Sequence, residues 1–313
     1  MNIQTDTDSV FVHTHFEHKD LDKAWVLGQK MEHFMNTVTF GDMNFITLEL
    51  EKSCSPFVLY KKKRYLSRVY ESPTLEKSKL DYKGLELTRR DNCKLTQEVL
   101  KAIVDHLMSG KDLKGYSEDI TSTVRHYCDR LVGSDIPFDH YIIQKSVNFN
   151  TKSQNMPHLR AAYRLNARIE AGLQVKEPIF NSQRCPYIIH RANMESISVA
   201  DQNKLKLGDR SDDPDWIKQK GLVIDRLYYT ESMVQNSVNR LCVFLAPVEK
   251  ERIKLAFREA KRLIRLQLKK QQQMTKYTFM HGWHKPVVKP KKEKEEKRYK
   301  QQDIASFFKP RLK

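Results

Sequence analysis

Two aspartates near the N-terminus, Asp6 and Asp8, are separated by one residue and precede an apolar run that begins at Val10. In a strand, side chains at i and i+2 point to the same face, so this pattern predicts two carboxylates at a hairpin tip with Val10 and Val12 in the core. Clustered carboxylates stay ionised only where a positive charge compensates them. Mg²⁺ provides that charge and also binds substrate phosphates. A solvated, aspartate-rich turn is the alternative interpretation.

A second group of residues that could bind a ligand is the basic run Lys61-Lys62-Lys63-Arg64-Tyr65, at the end of a predicted strand. Lysine and arginine in such a place bind phosphates or contact minor-groove acceptors that all base pairs share. Contacts of this kind hold a duplex without sequence preference. Exposed charge runs are usually solvated, so a solvated hairpin is the alternative interpretation.

Periodicity predicts the elements that position these groups. Alternating residues predict antiparallel strands over residues 45–50 and 56–60, packed behind the acidic hairpin. Helical spacing predicts helices over residues 20–35 and 249–273, another after Pro157-His158-Leu159 that includes Ala161 to Ile169, and two more within residues 94–133 that are broken at Gly110 and Gly115. Asp20 and the pair Asp91-Asn92 are the predicted N-caps of the first helix and of the helix that follows residue 93.

Composition restricts the partner and the class of protein. The 313 residues include 56 Lys and Arg against 39 Asp and Glu, a net charge of +17 that favours a polyanionic partner. The sequence has neither an apolar run of membrane-spanning length nor a signal-peptide pattern, which predicts a soluble intracellular protein without a membrane partner. The five cysteines form no C-x-x-C pair, so a zinc ribbon or iron–sulfur site is not supported.

The order of the motifs resembles the C-terminal part of family B DNA polymerases of the delta or herpesvirus type. Asp6-Thr7-Asp8-Ser9 and its apolar run match the family's C-motif, although Gln4-Thr5 stand where the family usually has Tyr-Gly. Further stretches follow in the family's order to about residue 248: Leu48-Glu49-Leu50-Glu51-Lys52, Pro56-Phe57, Lys62-Lys63-Arg64-Tyr65, Lys83-Gly84-Leu85-Glu86, Arg89-Arg90-Asp91-Asn92-Cys93, Arg184-Cys185-Pro186-Tyr187 and Ile224-Asp225-Arg226-Leu227-Tyr228-Tyr229.

The resemblance implies an α+β fold, with an antiparallel remnant of the polymerase palm over residues 1–92 and a mostly helical thumb over residues 93–284. It implies that Asp6 and Asp8 are catalytic metal ligands in a two-Mg²⁺ site whose remaining ligand lies outside this chain. It also implies contacts with primer–template DNA from a set of residues on the palm: Lys62, Lys63, Arg64, Tyr65, Lys83, Gly84, Arg89 and Arg90. In the thumb, Arg160, Arg164 and Arg168 share a helix face that is either solvated or lies along the duplex, while Tyr228 and Tyr229 are expected to pack inside.

Two motifs expected of a complete enzyme are missing from the sequence. These are the D-x-x-S-L-Y-P type motif, which supplies the other metal-binding aspartate and contacts dNTP phosphates, and the K-x-x-x-N-S-x-Y-G motif of the fingers. An exonuclease domain is missing too. The chain is therefore expected to be inactive alone and to require a further polymerase segment. Because the cysteine modules of cellular delta-type enzymes are also missing, we expect a viral enzyme that works in the host nucleus.

The C-terminal residues carry a separate signal. Residues 285–300 are rich in Lys, Glu and Pro and are expected to form a disordered basic linker. The sequence then ends in the spacing Q-x-x-I-x-x-F-F within residues 301–310, formed by Gln301, Ile304, Phe307 and Phe308. This spacing resembles the PIP box, which binds sliding clamps of the PCNA type. The alternative is a tail that packs on its own thumb.

These observations predict a DNA-directed DNA polymerase portion that adds dNTPs to a primer during replication and binds a sliding clamp through its tail. The rival hypothesis is a non-catalytic DNA- and clamp-binding protein derived from a polymerase.

Overall fold

A computed structural model describes residues 3–6, 9–39, 47–73, 77–109, 113–153, 155–191 and 205–280. Within them the fold is α+β with antiparallel sheets, as the sequence predicts. Contacts divide the chain into residues 1–269 and residues 270–313, and the described part of the second unit is the end of one long helix. No helix within the described ranges is long and apolar enough to cross a membrane.

The strands form one hairpin and two small sheets. Strands β1 (Ile3–Asp6) and β2 (Ser9–Val12) pair as an antiparallel hairpin. Strands β3 (Ser53–Lys61), β4 (Arg64–Tyr70) and β5 (Lys79–Lys83) follow one another in an antiparallel meander. Strands β6 (Ile143–Ser146), β7 (Arg184–Ile189) and β8 (Ser211–Asp212) form the other sheet, with β7 in the middle.

Helices supply most of the remaining described structure. They are α1 (Leu21–Phe34), α2 (Lys94–Leu107), α3 (Leu113–Gly133), α4 (Pro157–Glu170), α5 (Pro214–Lys220), α6 (Arg226–Tyr228), α7 (Asn236–Leu241) and α8 (Pro247–Met280). Single turns of 3-10 helix span His18–Asp20, Phe138–Tyr141 and Leu207–Arg210. π-helical segments span Met35–Thr39, after α1, and Tyr229–Gln235, between α6 and α7.

One apolar core joins the helices to the second sheet. Helix α2 is amphipathic. Its apolar residues recur at three- and four-residue spacing and are buried: Leu95, Val99, Leu100, Ile103, Val104 and Leu107. At about 1.5–3 kcal/mol for each fully buried aliphatic side chain, this face stabilises the fold more than any surface contact of the helix.

Tyr229 is the largest fully buried side chain of the core, at 0% exposure. The Ile189 N–H donates to its hydroxyl oxygen at 3.1 Å, and the hydroxyl donates to the Tyr141 carbonyl at 2.7 Å. The ring also lies edge-on to Tyr141, with 4.8 Å between centroids. Tyr229 therefore packs inside, as expected.

A buried ion cluster surrounds Asp225. Its carboxylate accepts a hydrogen bond from Arg191 at 3.4 Å and another from Arg210, and all three side chains are almost fully buried. It also accepts from the Tyr228 N–H at 3.3 Å, which caps the first turn of α6. One carboxylate thus links the end of β7, the 3-10 turn before β8, and α6.

The three arginines of α4 bind protein groups, so the expectation of a solvated stripe is wrong, while contact with the duplex stays a prediction. The Arg164 guanidinium donates to the Gly208 and Ser211 carbonyls at 3.0 and 2.6 Å. Arg168 binds the Asp212 carboxylate through two nitrogens, and Arg160 lies 3.6 Å from a carboxylate oxygen of Asp209. The physical reason is a run of acceptors over residues 208–212 that packs against this helix face.

Other predicted elements differ in detail. The strand expected over residues 45–50 is not formed in its described part, because the Leu48 backbone is hydrogen-bonded at 2.8 Å to the Asn36 amide and the Leu50 N–H donates to Glu32. Gly115 does not break a helix and lies inside α3.

Neither predicted N-cap acts through its side chain. Helix α2 begins after Cys93, without a side-chain cap from Asp91 or Asn92. Asp20 does stand at the N-cap of α1, but its carboxylate binds the Lys23 ammonium at 2.6 Å and not the helix backbone.

The five cysteines are free thiols, and four of them are buried: Cys93, Cys128, Cys185 and Cys242. Burial raises the thiol pKa of Cys128, Cys185 and Cys242 to about 12 in each case. It also raises the pKa of Cys54 and Cys93 above the usual value.

Candidate nucleic-acid interface

The basic run forms the tip of the β3–β4 hairpin. Lys61 pairs with Arg64 across the strands, and Lys62 and Lys63 are the two turn residues between them. Lys63 has a φ of 60°, a left-handed conformation, and the pairing of β3 with β4 shifts register between Leu59 and Lys61, so the hairpin closes with a bulge. The turn therefore presents its lysines at the end of a defined hairpin.

Gly84 lies directly against this turn. The pairing of Tyr65 with Lys83 brings the end of β5 beside the start of β4. Gly84 has a φ of +67°, and a Cβ at this position would lie 2.5 Å from the Lys63 carbonyl oxygen and 3.3 Å from the Arg64 Cα. Only glycine allows this close backbone approach. The structure thus brings together the two stretches around residues 62–65 and 83–84 that the sequence singled out.

The positive charge of the turn is not neutralised locally. Lys62 and Lys63 are exposed, and among the described residues no carboxylate lies within 4 Å of either ammonium group. The Arg64 guanidinium lies 5.9 Å from the ring centroid of Tyr60, and the Lys83 ammonium lies 5.9 Å from that of Tyr65. Aromatic faces near 6 Å attract cations of this kind. A polyanion in contact with the turn would meet the exposed ammonium groups of Lys62 and Lys63.

A cluster of three aromatic rings connects this turn to the acidic hairpin. Phe11 on β2 lies 5.2 Å from Phe57 and 5.4 Å from Tyr65, and Phe57 lies 5.6 Å from Tyr65, measured between ring centroids. Tyr65 is 3% exposed and is a packing residue at this position. The ring cluster holds β2 on the sheet that carries the basic turn.

The hairpin of β1 and β2 ends with Asp6 opposite Ser9. The side chain of Asp6 and the whole of Asp8 lie outside the described residues, so their role as metal ligands stays a prediction. The expectation that Val10 and Val12 enter the core is wrong: Val10 is 49% exposed and Val12 only half-buried. Phe11 makes the core contact, because its ring faces the apolar side of the β3–β4–β5 sheet.

A divalent cation fits the donor chemistry of Asp6 and Asp8, since carboxylate oxygens are the ligands that Mg²⁺ prefers. Among the described residues, no group of three His, Cys, Asp or Glu side chains could hold a metal ion. The rings of His13 and His15 lie 4.1 Å apart between centroids, but two histidines alone do not make such a group. A Mg²⁺ site at the hairpin tip stays a prediction.

Arg89 and Arg90, the other two predicted DNA contacts, lie in the connection between β5 and α2. Arg89 binds the Asp91 carboxylate through two nitrogens, at 3.0 and 2.6 Å, and this pairing lowers the pKa of Asp91. The Arg90 side chain is exposed and its carbonyl accepts from the Gln144 N–H at 2.9 Å. Arg89 is thus held in an ion pair with Asp91, and Arg90 stays a candidate contact.

Sequence patterns assign no role of its own to Glu86, yet its side chain connects this region to α7. Its carboxylate accepts from Arg240 at 2.7 Å. Burial alone would raise the pKa of Glu86, but the hydrogen bonds from Arg240 and Ser237 outweigh it and place the pKa below the usual value. No local pattern marks this pair, because the two residues lie 154 positions apart.

The predicted clamp motif of Gln301, Ile304, Phe307 and Phe308 and the linker before it lie outside the described residues. The division into a palm remnant and a thumb likewise stays a prediction.

Comparisons with known proteins were made on the whole chain. A DNA polymerase from Paramecium bursaria Chlorella virus NY2A is 30% identical over 193 residues, which are 61% of this chain and 19% of the viral protein. The DNA polymerase delta catalytic subunits of Candida albicans and Arabidopsis thaliana are 27% and 29% identical over 242 and 241 residues. These alignments cover 77% and 76% of this chain but only 21% and 20% of the two subunits. The chain spans about a fifth of the length of the curated relatives it matches.

Among solved structures, the family B DNA polymerase from the hyperthermophilic archaeon Pyrobaculum calidifontis matches with a TM-score of 0.50 at 19% identity, over 70% of this chain and 24% of the archaeal chain. At that identity the likeness concerns the fold alone. The sequence model of DNA polymerase family B matches residues 2–245, well over half of the sequence. The chain therefore belongs to DNA polymerase family B.

Proposed function

We propose that this chain is the C-terminal, duplex-holding portion of a DNA-directed DNA polymerase that adds dNTPs to a primer in DNA replication. The observation that carries the proposal is the basic turn of Lys62, Lys63 and Arg64, held by Gly84 and joined through Tyr65 to the hairpin of Asp6. In a two-metal polymerase site, carboxylates and duplex contacts have to be positioned together. The packing of Phe11 on Phe57 and Tyr65, which joins the β1–β2 hairpin to the sheet with the basic turn, supports such a common positioning.

The residues of this chain would act mainly by positioning the duplex and the divalent cations. The turn would bind the phosphates of the primer–template duplex, and the aromatic cluster would keep that duplex at a constant distance from the hairpin tip. Asp6 and Asp8 would hold divalent cations there. When bound, Mg²⁺ supplies the charge that stabilises the attacking and leaving oxygens of nucleotidyl transfer. Another polymerase segment, with the fingers, the rest of the palm and the remaining metal ligand, would complete the site.

Substitution of the proposed metal ligand Asp8 tests the catalytic part of the proposal. In the enzyme reconstituted with that segment, Asp8→Ala should abolish primer extension while duplex affinity changes little, because a carboxylate at the hairpin tip does not attract phosphates. Primer extension in Mg²⁺ by this variant would disprove the assignment. If the unmutated assembly binds duplex and never extends a primer, the non-catalytic DNA-binding protein becomes the better hypothesis.

Duplex binding by the chain alone tests the turn. The chain should bind primer–template DNA without sequence preference and without extending it, with affinity that falls steeply with salt concentration. Replacing Lys62, Lys63 and Arg64 with glutamine should flatten the salt dependence by roughly two to three charges. An unchanged slope would show that the turn is a solvated face.

A matched control removes three lysine charges that already have carboxylate partners. Lys19 and Lys23 lie 2.8 and 2.6 Å from carboxylate oxygens of Glu17 and Asp20, and Lys79 pairs with Glu71. Because these lysines lie outside the turn and each has a carboxylate neighbour, replacing them with glutamine should alter the salt dependence less than the turn variant does.

Clamp binding is a separate part of the proposal. A peptide of residues 298–313 should bind a PCNA-type clamp, since Ile304, Phe307 and Phe308 would each contribute about 1.5–3 kcal/mol on burial, less the cost of ordering the peptide. Phe307→Ala with Phe308→Ala should remove that binding and leave single-nucleotide insertion by the reconstituted enzyme unchanged. Clamp binding that survives the double substitution would refute the motif. The nucleus, or the host nucleus for a viral enzyme, is the expected site of action.

A further inference from the structure

Helix α8 carries a basic flank that the proposed duplex site does not use. The buried side of the helix is apolar and consists of Ile253, Phe257, Ala260, Ile264 and Leu268. Five exposed cations occupy one flank of the opposite side: Lys254, Arg258, Arg262, Arg265 and Lys269. At 3.6 residues per turn these five lie within an arc of about 80° and extend about 22 Å along the helix. We call them the α8 basic flank.

The charge of the α8 basic flank is only partly balanced. Lys254 and Arg258 each lie 3.4 Å from a carboxylate oxygen of Glu251, and Arg262 lies 3.9 Å from one of Glu259. These side chains are more than half exposed, and ion pairs of that kind contribute little and are readily exchanged. No described carboxylate lies within 4 Å of Arg265 or Lys269. The flank therefore has a net positive charge along its whole length.

The helix begins beside the basic turn of the β3–β4 hairpin. Phe244, just before Pro247, lies 6.2 Å from the Tyr60 ring between centroids, and the Arg64 guanidinium lies over that same ring. The turn and the start of α8 therefore belong to one packed cluster. The helix lies beyond residue 245, where the match to the family model ends.

We propose that the α8 basic flank binds the sugar-phosphate backbone of the duplex beyond the section held by the basic turn. This inference rests on the proposed duplex-binding function. Successive phosphates of one strand rise about 3.4 Å, so about 22 Å of helix can follow roughly six of them. An acidic protein surface is the other class of polyanion. Exposed Leu255 and Leu266 border the flank on one side, but the flank itself presents five cations, and the core of a protein interface is usually depleted in charged residues. A duplex backbone is the better fit.

The test compares duplexes of different length on the full 313-residue chain. The flank variant carries Arg258→Gln, Arg262→Gln and Arg265→Gln, since glutamine keeps helix propensity while removing charge. A matched control removes three charges from other faces of the same helix by Lys250→Gln, Arg252→Gln and Lys270→Gln. Fluorescence anisotropy on labelled duplexes of about 8 and about 24 base pairs separates a short contact from an extended one. Circular dichroism confirms that each variant is folded.

The flank variant should bind the long duplex at least tenfold more weakly, with a salt slope lowered by about two to three, and the short duplex within about twofold of the unmutated chain. The control variant should lose less affinity for the long duplex than the flank variant does. If the flank variant binds both duplexes as well as the control while the turn variant is weakened, the inference is wrong and the proposed function stands. If it loses binding to poly-glutamate but not to the long duplex, the partner is an acidic protein. If the unmutated chain binds neither duplex, the proposed function fails first.

Discussion

Gly84→Ala tests whether the basic turn is held by a close backbone contact, and Gly172→Ala is its matched control. Both glycines have a φ of +67°. An alanine in that conformation costs about 1–2 kcal/mol at either position. At Gly172 nothing lies within 4 Å of the added Cβ, whereas at Gly84 that atom would lie 2.5 Å from the Lys63 carbonyl oxygen. Relieving the overlap requires the turn to move by roughly 1 Å, at a further cost of about 1–3 kcal/mol.

Two measurements separate these contributions. In urea denaturation, Gly172→Ala should lower the free energy of unfolding by about 1–2 kcal/mol and Gly84→Ala by about 2–5 kcal/mol, the excess being the overlap with the turn. In anisotropy titrations, only Gly84→Ala should weaken duplex binding, because only that change displaces Lys63 and Arg64. Equal stability losses and equal duplex affinities for the two variants would refute the idea that Gly84 positions the turn.

Four further substitutions test the interior and the pH dependence. Asp225→Asn should lower the free energy of unfolding by about 3–5 kcal/mol in urea denaturation, because two buried guanidinium groups lose the carboxylate that both bind; a loss below about 1 kcal/mol would contradict this. Tyr229→Phe should cost about 1–3 kcal/mol by leaving a buried N–H and a carbonyl unpaired, whereas Tyr228→Phe should cost less. Glu86 has a lowered pKa, so its stabilising effect is present above its unfolded pKa of about 4.3 and is lost as pH falls through the folded value. Glu86→Gln should therefore flatten acid destabilisation in that window, and an unchanged pH profile would count against the ion pair.

Several features could be predicted because they depend on short stretches of sequence. The apolar spacing of α2 and α8 fixes which face is buried, and a 3.6-residue period needs no distant partner to be recognised. The basic turn and Gly84 were each identified from residue types alone. Their mutual contact was not, because it depends on how β4 pairs with β5.

The predictions fail where a residue distant in the sequence binds the backbone or the side chains that form a local pattern. The alternation over residues 45–50 is present in the sequence, but side chains of Asn36 and Glu32 bind its backbone in place of a neighbouring strand. The arginines of α4 have the spacing of an outward stripe, yet their acceptors lie more than forty residues downstream, as for Arg164 and Gly208. Sequence spacing alone shows which residues share a face, and not what that face meets.

The reactivity of the buried cysteines can report how often local parts of the fold open. With a pKa near 12, a thiol reacts with alkylating reagents about three orders of magnitude more slowly than a free one, because only the thiolate attacks. Labelling of Cys128 in α3, Cys185 in β7 or Cys242 after α7 must then wait for local opening of that element. The order in which the thiols are modified, read by mass spectrometry, would rank how often these parts of the fold open, without any engineered probe.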